Sequence, residues 1–129
     1  PRVKRIAVAN TTTAPYGKAT REALTRLNLW EQTAPRIVYG ENITQTAQFV
    51  ETGNADAGFV ALSLVLSPRL NSKGRWHEVD PSLHSPLEQG VVITKRGAGN
   101  PASARFLAFL RSEGARAVFE RFGYRVPKS

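Results

Sequence analysis

Residues 36–62 read RIVYGENITQTAQFVETGNADAGFVAL, and this stretch decides the fold. Arg36-Ile37-Val38-Tyr39 is a short β-branched run stopped by Gly40, the composition of a strand with a turn residue behind it. Asn42 followed by Gln45 three positions later has the form of a capping box, in which the cap accepts a helix-start N–H and the glutamine reaches back. Ile43, Ala47 and Val50 then recur at helical spacing. Gly53-Asn54 supplies residues that accept the left-handed conformation closing a helix. Ala57-Gly58-Phe59-Val60-Ala61-Leu62 is apolar throughout and too brief for a helix, which predicts a strand buried on both faces. A strand–helix–strand unit of this kind builds a parallel sheet.

The same alternation extends upstream. Val3-Lys4-Arg5-Ile6-Ala7-Val8 reads as a strand, Asn10-Thr11-Thr12-Thr13-Ala14 as a loop, and Pro15 suits the first turn of a helix, where its missing N–H costs nothing. That helix is expected from about Tyr16 to Asn28, with Ala23, Leu24 and Leu27 on one face and Trp30 closing the turn behind it. Downstream, residues 63–74 read as a short helix ended by Pro68 and the polar loop Asn71-Ser72-Lys73-Gly74. Strands are expected at Trp76-His77-Glu78-Val79 and Gln89-Gly90-Val91-Val92-Ile93-Thr94, on either side of a loop over 80–86. A helix from about Pro101 should bury Phe106, Phe109 and Leu110, and a last one places Ala115, Val118, Phe119 and Phe122 at i, i+3, i+4 and i+7. The fold class is α/β, a three-layer sandwich with a mostly parallel sheet.

Composition bounds the function. The chain has 129 residues, 41% of them hydrophobic, and a formal net charge of +8; that is a single-domain length with enough apolar content for a core. The opening Pro1-Arg2-Val3-Lys4-Arg5 runs straight into a strand-like segment without the apolar centre of a signal peptide, which suggests a processed or excised product. Zero cysteines exclude disulfides and thiolate metal sites. Residues 1–94 hold ten Lys/Arg against eight Asp/Glu, and residues 95–129 hold eight against two, so the excess charge lies in the C-terminal segment. Lys95-Arg96, Arg105, Arg111, Arg116, Arg121, Arg125 and Lys128 are spaced along the polar faces of two amphipathic helices without interleaved aromatic or glycine-rich segments, a solvated face rather than a nucleic-acid groove.

No nucleophile–base pair is visible. Ser63 lacks the Gly-x-Ser-x-Gly elbow of a hydrolase, and His77 and His84 have no carboxylate at metal spacing. Asp56 lies in a tight turn, where it caps or ties the loop. What remains are two helix starts, Ala14-Pro15-Tyr16-Gly17 and Gly40-Glu41-Asn42-Ile43-Thr44, each following a strand. Helix starts leave backbone N–H groups without intrahelical partners and attract anions, and in a parallel α/β sheet ligands collect outside the carboxyl ends of the strands. Oxyanion binding by neutral backbone donors is the function this pattern supports.

At these residues the chain resembles the periplasmic molybdate-binding proteins of ABC transporters (the ModA type), which share the two-lobed type II periplasmic binding fold. The matching pieces are Ile6-Ala7-Val8-Ala9-Asn10, Ala14-Pro15-Tyr16-Gly17, Gly40-Glu41-Asn42-Ile43, Phe49-Val50, and Gly53 through Ser63, with the run from Gly90 to Pro127 similar to the family's ending. The resemblance implies molybdate or tungstate as ligand, no cofactor, no cationic metal ligands and no catalysis, with donors at Tyr16 and Ile43 and supporting roles for Asn10 and Asn42. It departs at Thr11, where a proline usually follows the asparagine, and at Ala61, where some members place a contacting tyrosine.

It further implies that residues 1–88 form the second lobe, carrying half of the anion site. Residues 89–129 would be the returning strand and helices that complete the first lobe. A periplasmic location, an ABC permease as partner, and cover from the missing first lobe or a second copy of the chain, as a homodimer or domain swap, follow as expectations; nucleic acid does not. A ligand-sensing effector domain of a transcriptional regulator, built on the same architecture, is the alternative.

Overall fold

The computed structural model describes residues 3–127; Pro1, Arg2 and Lys128, named above for the start of the chain and its basic end, lie outside them. By the density of contacts the chain divides into two compact units, Pro1–Leu87 and Glu88–Ser129.

In the first unit three short strands form one parallel sheet. β1 (Ile6–Ala9) leads into α1 (Pro15–Arg26), a one-turn helix α2 (Trp30–Thr33) and β2 (Ile37–Gly40); α3 (Ile43–Glu51), β3 (Ala57–Gly58) and α4 (Leu62–Val65) follow. The strand order is β2-β1-β3, with Ile6 opposite both Ile37 and Ala57, and Ala9 opposite Gly40. The crossover from β1 to β2 runs from the centre to one edge and that from β2 to β3 runs back across β1 to the other, so right-handed connections place α1 and α3 on opposite faces. Ala7, Val8 and Ala9 are accordingly buried one after another, without the alternation of a half-exposed strand. Ala23 and Leu24 of α1 and Ala47 of α3 complete this core.

The helix ends follow local chemistry. α1 stops two residues earlier than its periodicity suggests because Asn28 takes the left-handed conformation at φ 55°. The Leu29 N–H then bonds the Leu24 carbonyl and the Asn28 N–H that of Thr25, a Schellman closure. α3 is closed by Gly53 at φ 77°, just past its C-cap Thr52, as its sequence predicts.

Two expected strands are absent among the described residues: neither 76–79 nor 89–94 is extended in a ladder. Strand propensity needs a neighbouring edge to pair with, and Val91 and Val92 are 61% and 80% exposed. β3 is shorter than its apolar run: the Phe59 N–H still bonds the Ala7 carbonyl at 2.9 Å, and Ala61, in extended backbone, leads into α4. That helix is a single turn, and turns rather than helix fill the rest of 63–74.

In the second unit α5 (Pro101–Leu110) and α6 (Glu113–Arg121) start on the caps Asn100 and Ser112. Phe106 and Phe109, expected on a buried face, are exposed at 59% and 57% and stack on each other, their centroids 6.3 Å apart. The apolar stripe exists, but Ala115 is the one residue of these helices that is buried.

Candidate functional site

The β1–α1 loop is organised by Asn10. Its side-chain carbonyl accepts the N–H groups of Thr12 at 2.8 Å and Thr13 at 3.1 Å, and its backbone carbonyl accepts that of Ala14 at 3.0 Å. Three consecutive loop donors are thereby consumed inside the loop, which fixes where α1 begins. Pro15 contributes no N–H, and Tyr16, half-buried, is the second residue of the helix. The buried Thr20 donates its hydroxyl to the Tyr16 carbonyl at 2.8 Å.

The β2–α3 loop uses the same economy. Asn42 is the cap, accepting the Gln45 N–H at 2.9 Å, while the Gln45 side chain accepts the Glu41 N–H at 2.7 Å. The reach-back of the capping box thus goes one residue further than the motif predicts. The Asn42 carbonyl takes the Thr46 N–H at 3.1 Å and the Thr46 hydroxyl at 2.9 Å. Glu41, Gln45 and Thr46 donors are all spent; among the described residues none accepts the N–H of Ile43, the first residue of α3.

Two glycines let each helix start press against the end of a strand. A Cβ on Gly17 would fall on the carbonyl oxygens of Ala9 and Asn10, so only glycine lets the first turn of α1 rest against the end of β1. A Cβ on Gly40 would lie 2.5 Å from the Thr46 hydroxyl and 2.9 Å from its N–H nitrogen. Between them, the Asn10 N–H donates to the Gly40 carbonyl at 2.8 Å, continuing the β1–β2 ladder by one rung. The path Gly17, Asn10, Gly40, Thr46 is continuous, and it sets both helix starts at the carboxyl end of adjacent parallel strands. Tyr16, Ile43, Asn10 and Asn42 therefore lie at the same end of the sheet, beyond the carboxyl ends of β1 and β2. Two surface depressions beside α1, of about 550 and 370 Å³, are lined by residues such as Lys18 and Glu22 and do not include Tyr16 or Ile43.

The other charged groups have structural work. Asp56 accepts the N–H groups of Lys4 and Arg5, each at 2.8 Å, and those two bonds, Arg5 first, hold its carboxyl below the usual carboxylate range. The turn into β3 is thereby tied to the start of β1. Glu51 is lowered to about 2 by its bonds to Arg69 and then Lys73. Glu22 accepts the Ser85 N–H and hydroxyl and the Arg26 guanidinium, whose other nitrogen donates to the Ser82 carbonyl; the Ser85 N–H is the main cause that lowers the Glu22 carboxyl. No pattern of sequence spacing announced this tether between α1 and the loop at 82–85. The His84 Nδ1 lies 2.9 Å from the Ser85 carbonyl, and among the described residues no three of His, Cys, Asp or Glu gather to hold a metal ion.

The family model described as "Bacterial extracellular solute-binding protein" matches residues 1–125. The chain is 40% identical over 121 residues to a molybdate-binding protein ModA of Azotobacter vinelandii, covering 94% of this chain and 48% of that protein. It is 35% identical over 122 residues to the protein of the same name from Rhodobacter capsulatus, with 95% and 47% coverage. Among solved structures it is similar to the Azotobacter vinelandii periplasmic molybdate-binding protein, at a TM-score of 0.88 and 30% identity over 99% of this chain and 56% of that one. The chain spans about half the length of the curated relatives it matches.

Proposed function

The chain belongs to the bacterial extracellular solute-binding protein family, and from that membership together with the rim geometry we propose that it captures a tetrahedral oxyanion, molybdate or tungstate, for an ABC-type importer. The observation that carries this reading is the hydrogen bond from Asn10 to Gly40, which joins two loops whose helices start at the same end of the sheet. The names of the similar proteins support molybdate as the ligand. They give no support to the regulator alternative.

Neutral donors suffice for such a ligand. Each helix start carries partial positive charge, and a hydrogen bond to an ionised acceptor is roughly twice as strong as a neutral one. A cationic side chain would favour any anion. A rigid set of N–H groups rewards only a tetrahedron of the right radius and penalises a protonated one, which presents a hydrogen where an acceptor is needed.

Tyr16 and Ile43 supply the N–H donors in this reading, with Asn10 and Asn42 holding their loops. Residues 1–88 are the second lobe, and hydroxyl and amide donors of the first lobe complete the shell. Residues 89–129 are the returning segment of that first lobe, consistent with the exposure of Val91, Val92, Phe106 and Phe109; they are covered by the rest of that lobe, or by a second copy of the chain. Closure of the lobes on the anion forms the state that the permease recognises in the periplasm. The protein binds and releases; it performs no reaction.

Isothermal titration of the full-length protein with molybdate, tungstate, sulfate and phosphate tests the proposal. Heat with the first two alone is the expected result. Heat with sulfate or phosphate, or with none of the four, contradicts it.

A further inference from the structure

We propose that Thr46 is a positioning residue for the anion, acting through the Asn42–Ile43 peptide; this rests on the assignment of Ile43 as a donor. Thr46 is 0% exposed, and its side chain is among the largest that are wholly buried. A buried hydroxyl in the first turn of a helix is costly unless it is bonded. Here it bonds the Asn42 carbonyl at 2.9 Å, beside the Thr46 N–H that reaches the same oxygen at 3.1 Å. That carbonyl belongs to the same peptide plane as the Ile43 N–H. Two donors on one carbonyl fix the plane's tilt, and they draw electron density toward the oxygen, which makes the N–H at the other end a better donor.

The site has been shaped for this hydroxyl. Gly40 lacks the Cβ that would stand 2.5 Å from it, so the end of β2 leaves the space that Thr46 fills. Asn42 meanwhile spends its side chain on the Gln45 N–H. Gln45 and Thr46 thus hold Asn42 from two sides, one at its side-chain oxygen and one at its carbonyl. The remaining outward direction of the peptide is the Ile43 N–H.

Thr46→Val keeps the shape and removes the hydroxyl; Thr46→Ser keeps the hydroxyl. In the full-length protein Thr46→Val is expected to raise the molybdate Kd about tenfold, part of the value of a charge-assisted bond, while Thr46→Ser stays within about twofold of wild type. Without ligand, the amide resonance of Ile43 should move upfield in Thr46→Val and not in Thr46→Ser. If wild type binds molybdate and Thr46→Val binds equally well, with Ile43 unmoved, the role of Thr46 falls and the oxyanion reading stands. If wild type gives no molybdate heat, the reading and the role fall together. Should Thr46→Val not fold, the hydroxyl proton of wild-type Thr46 decides. It moves downfield on molybdate binding if the peptide couples it to the anion, and its staying in place contradicts the proposal.

Discussion

Replacing Ile43 by proline is expected to weaken molybdate binding by about 100-fold, with the fold intact. Ile43 is the first residue of α3, the helical position where proline is best tolerated, because the N–H it lacks has no intrahelical partner. The preceding Asn42 sits at φ −145°, ψ 173°, the extended region that a following proline requires. The substitution therefore deletes one donor and little else. A hydrogen bond to an ionised acceptor contributes about 1.5–3 kcal/mol, and the ring would occupy the space in front of the lost N–H, so the upper part of that range applies. Ile43 is half-buried, so its side chain costs about 1 kcal/mol of stability in addition. Ile43→Val, which keeps the N–H, is the control and should bind within about twofold of wild type. Titration calorimetry reads the first effect, and thermal melting the second.

Gly17→Ala should damage both stability and binding. Added to the first turn of α1, the methyl group meets the backbone carbonyls of Ala9 and Asn10, which belong to the central strand and the loop bonded to Gly40 and cannot turn aside as a side chain would. Overpacking against backbone costs about 3 kcal/mol at the upper end of its usual range. For a protein of this family's size that lowers Tm by about 10 °C. The helix start must lift off the sheet, carrying the Tyr16 N–H with it, so affinity for molybdate falls as well. Gly74→Ala is the matched control: nothing lies within 4 Å of the added carbon, and Tm should change by less than about 2 °C.

The parts of the fold that could be read in the sequence are those fixed by local chemistry. Asn42 and Gln45 announced the start of α3 because capping is a matter of three residues, and Gly53 announced its end. The parallel sheet followed from a strand–helix–strand order that few arrangements satisfy. What failed needed distant partners. Gln89–Thr94 has the composition of a strand, yet the described residues provide no ladder for it. Phe106 and Phe109 have helical spacing, but the spacing says only that a face exists, not what covers it.

At the site, the two loops could be read because glycine, asparagine and proline carry their conformations with them. The contact between the loops depends on the register of Ala9 against Gly40, which no local pattern encodes. Thr46 went unread for a related reason. A threonine four residues after a cap is ordinary, and only its complete burial beside Gly40 distinguishes it. Asn28 could have been read as the closing residue of α1, since asparagine tolerates the left-handed conformation, but the apolar periodicity through Leu27 pointed past it.

The most direct test follows the backbone amide resonances of the full-length protein during titration with molybdate. The resonances of Tyr16 and Ile43 should move together, with one shared Kd and by more than those of helix-start amides elsewhere, such as Ala102 and Ala115, while sulfate leaves both in place. If molybdate binds and either amide stays still, the two helix starts do not grip the anion together.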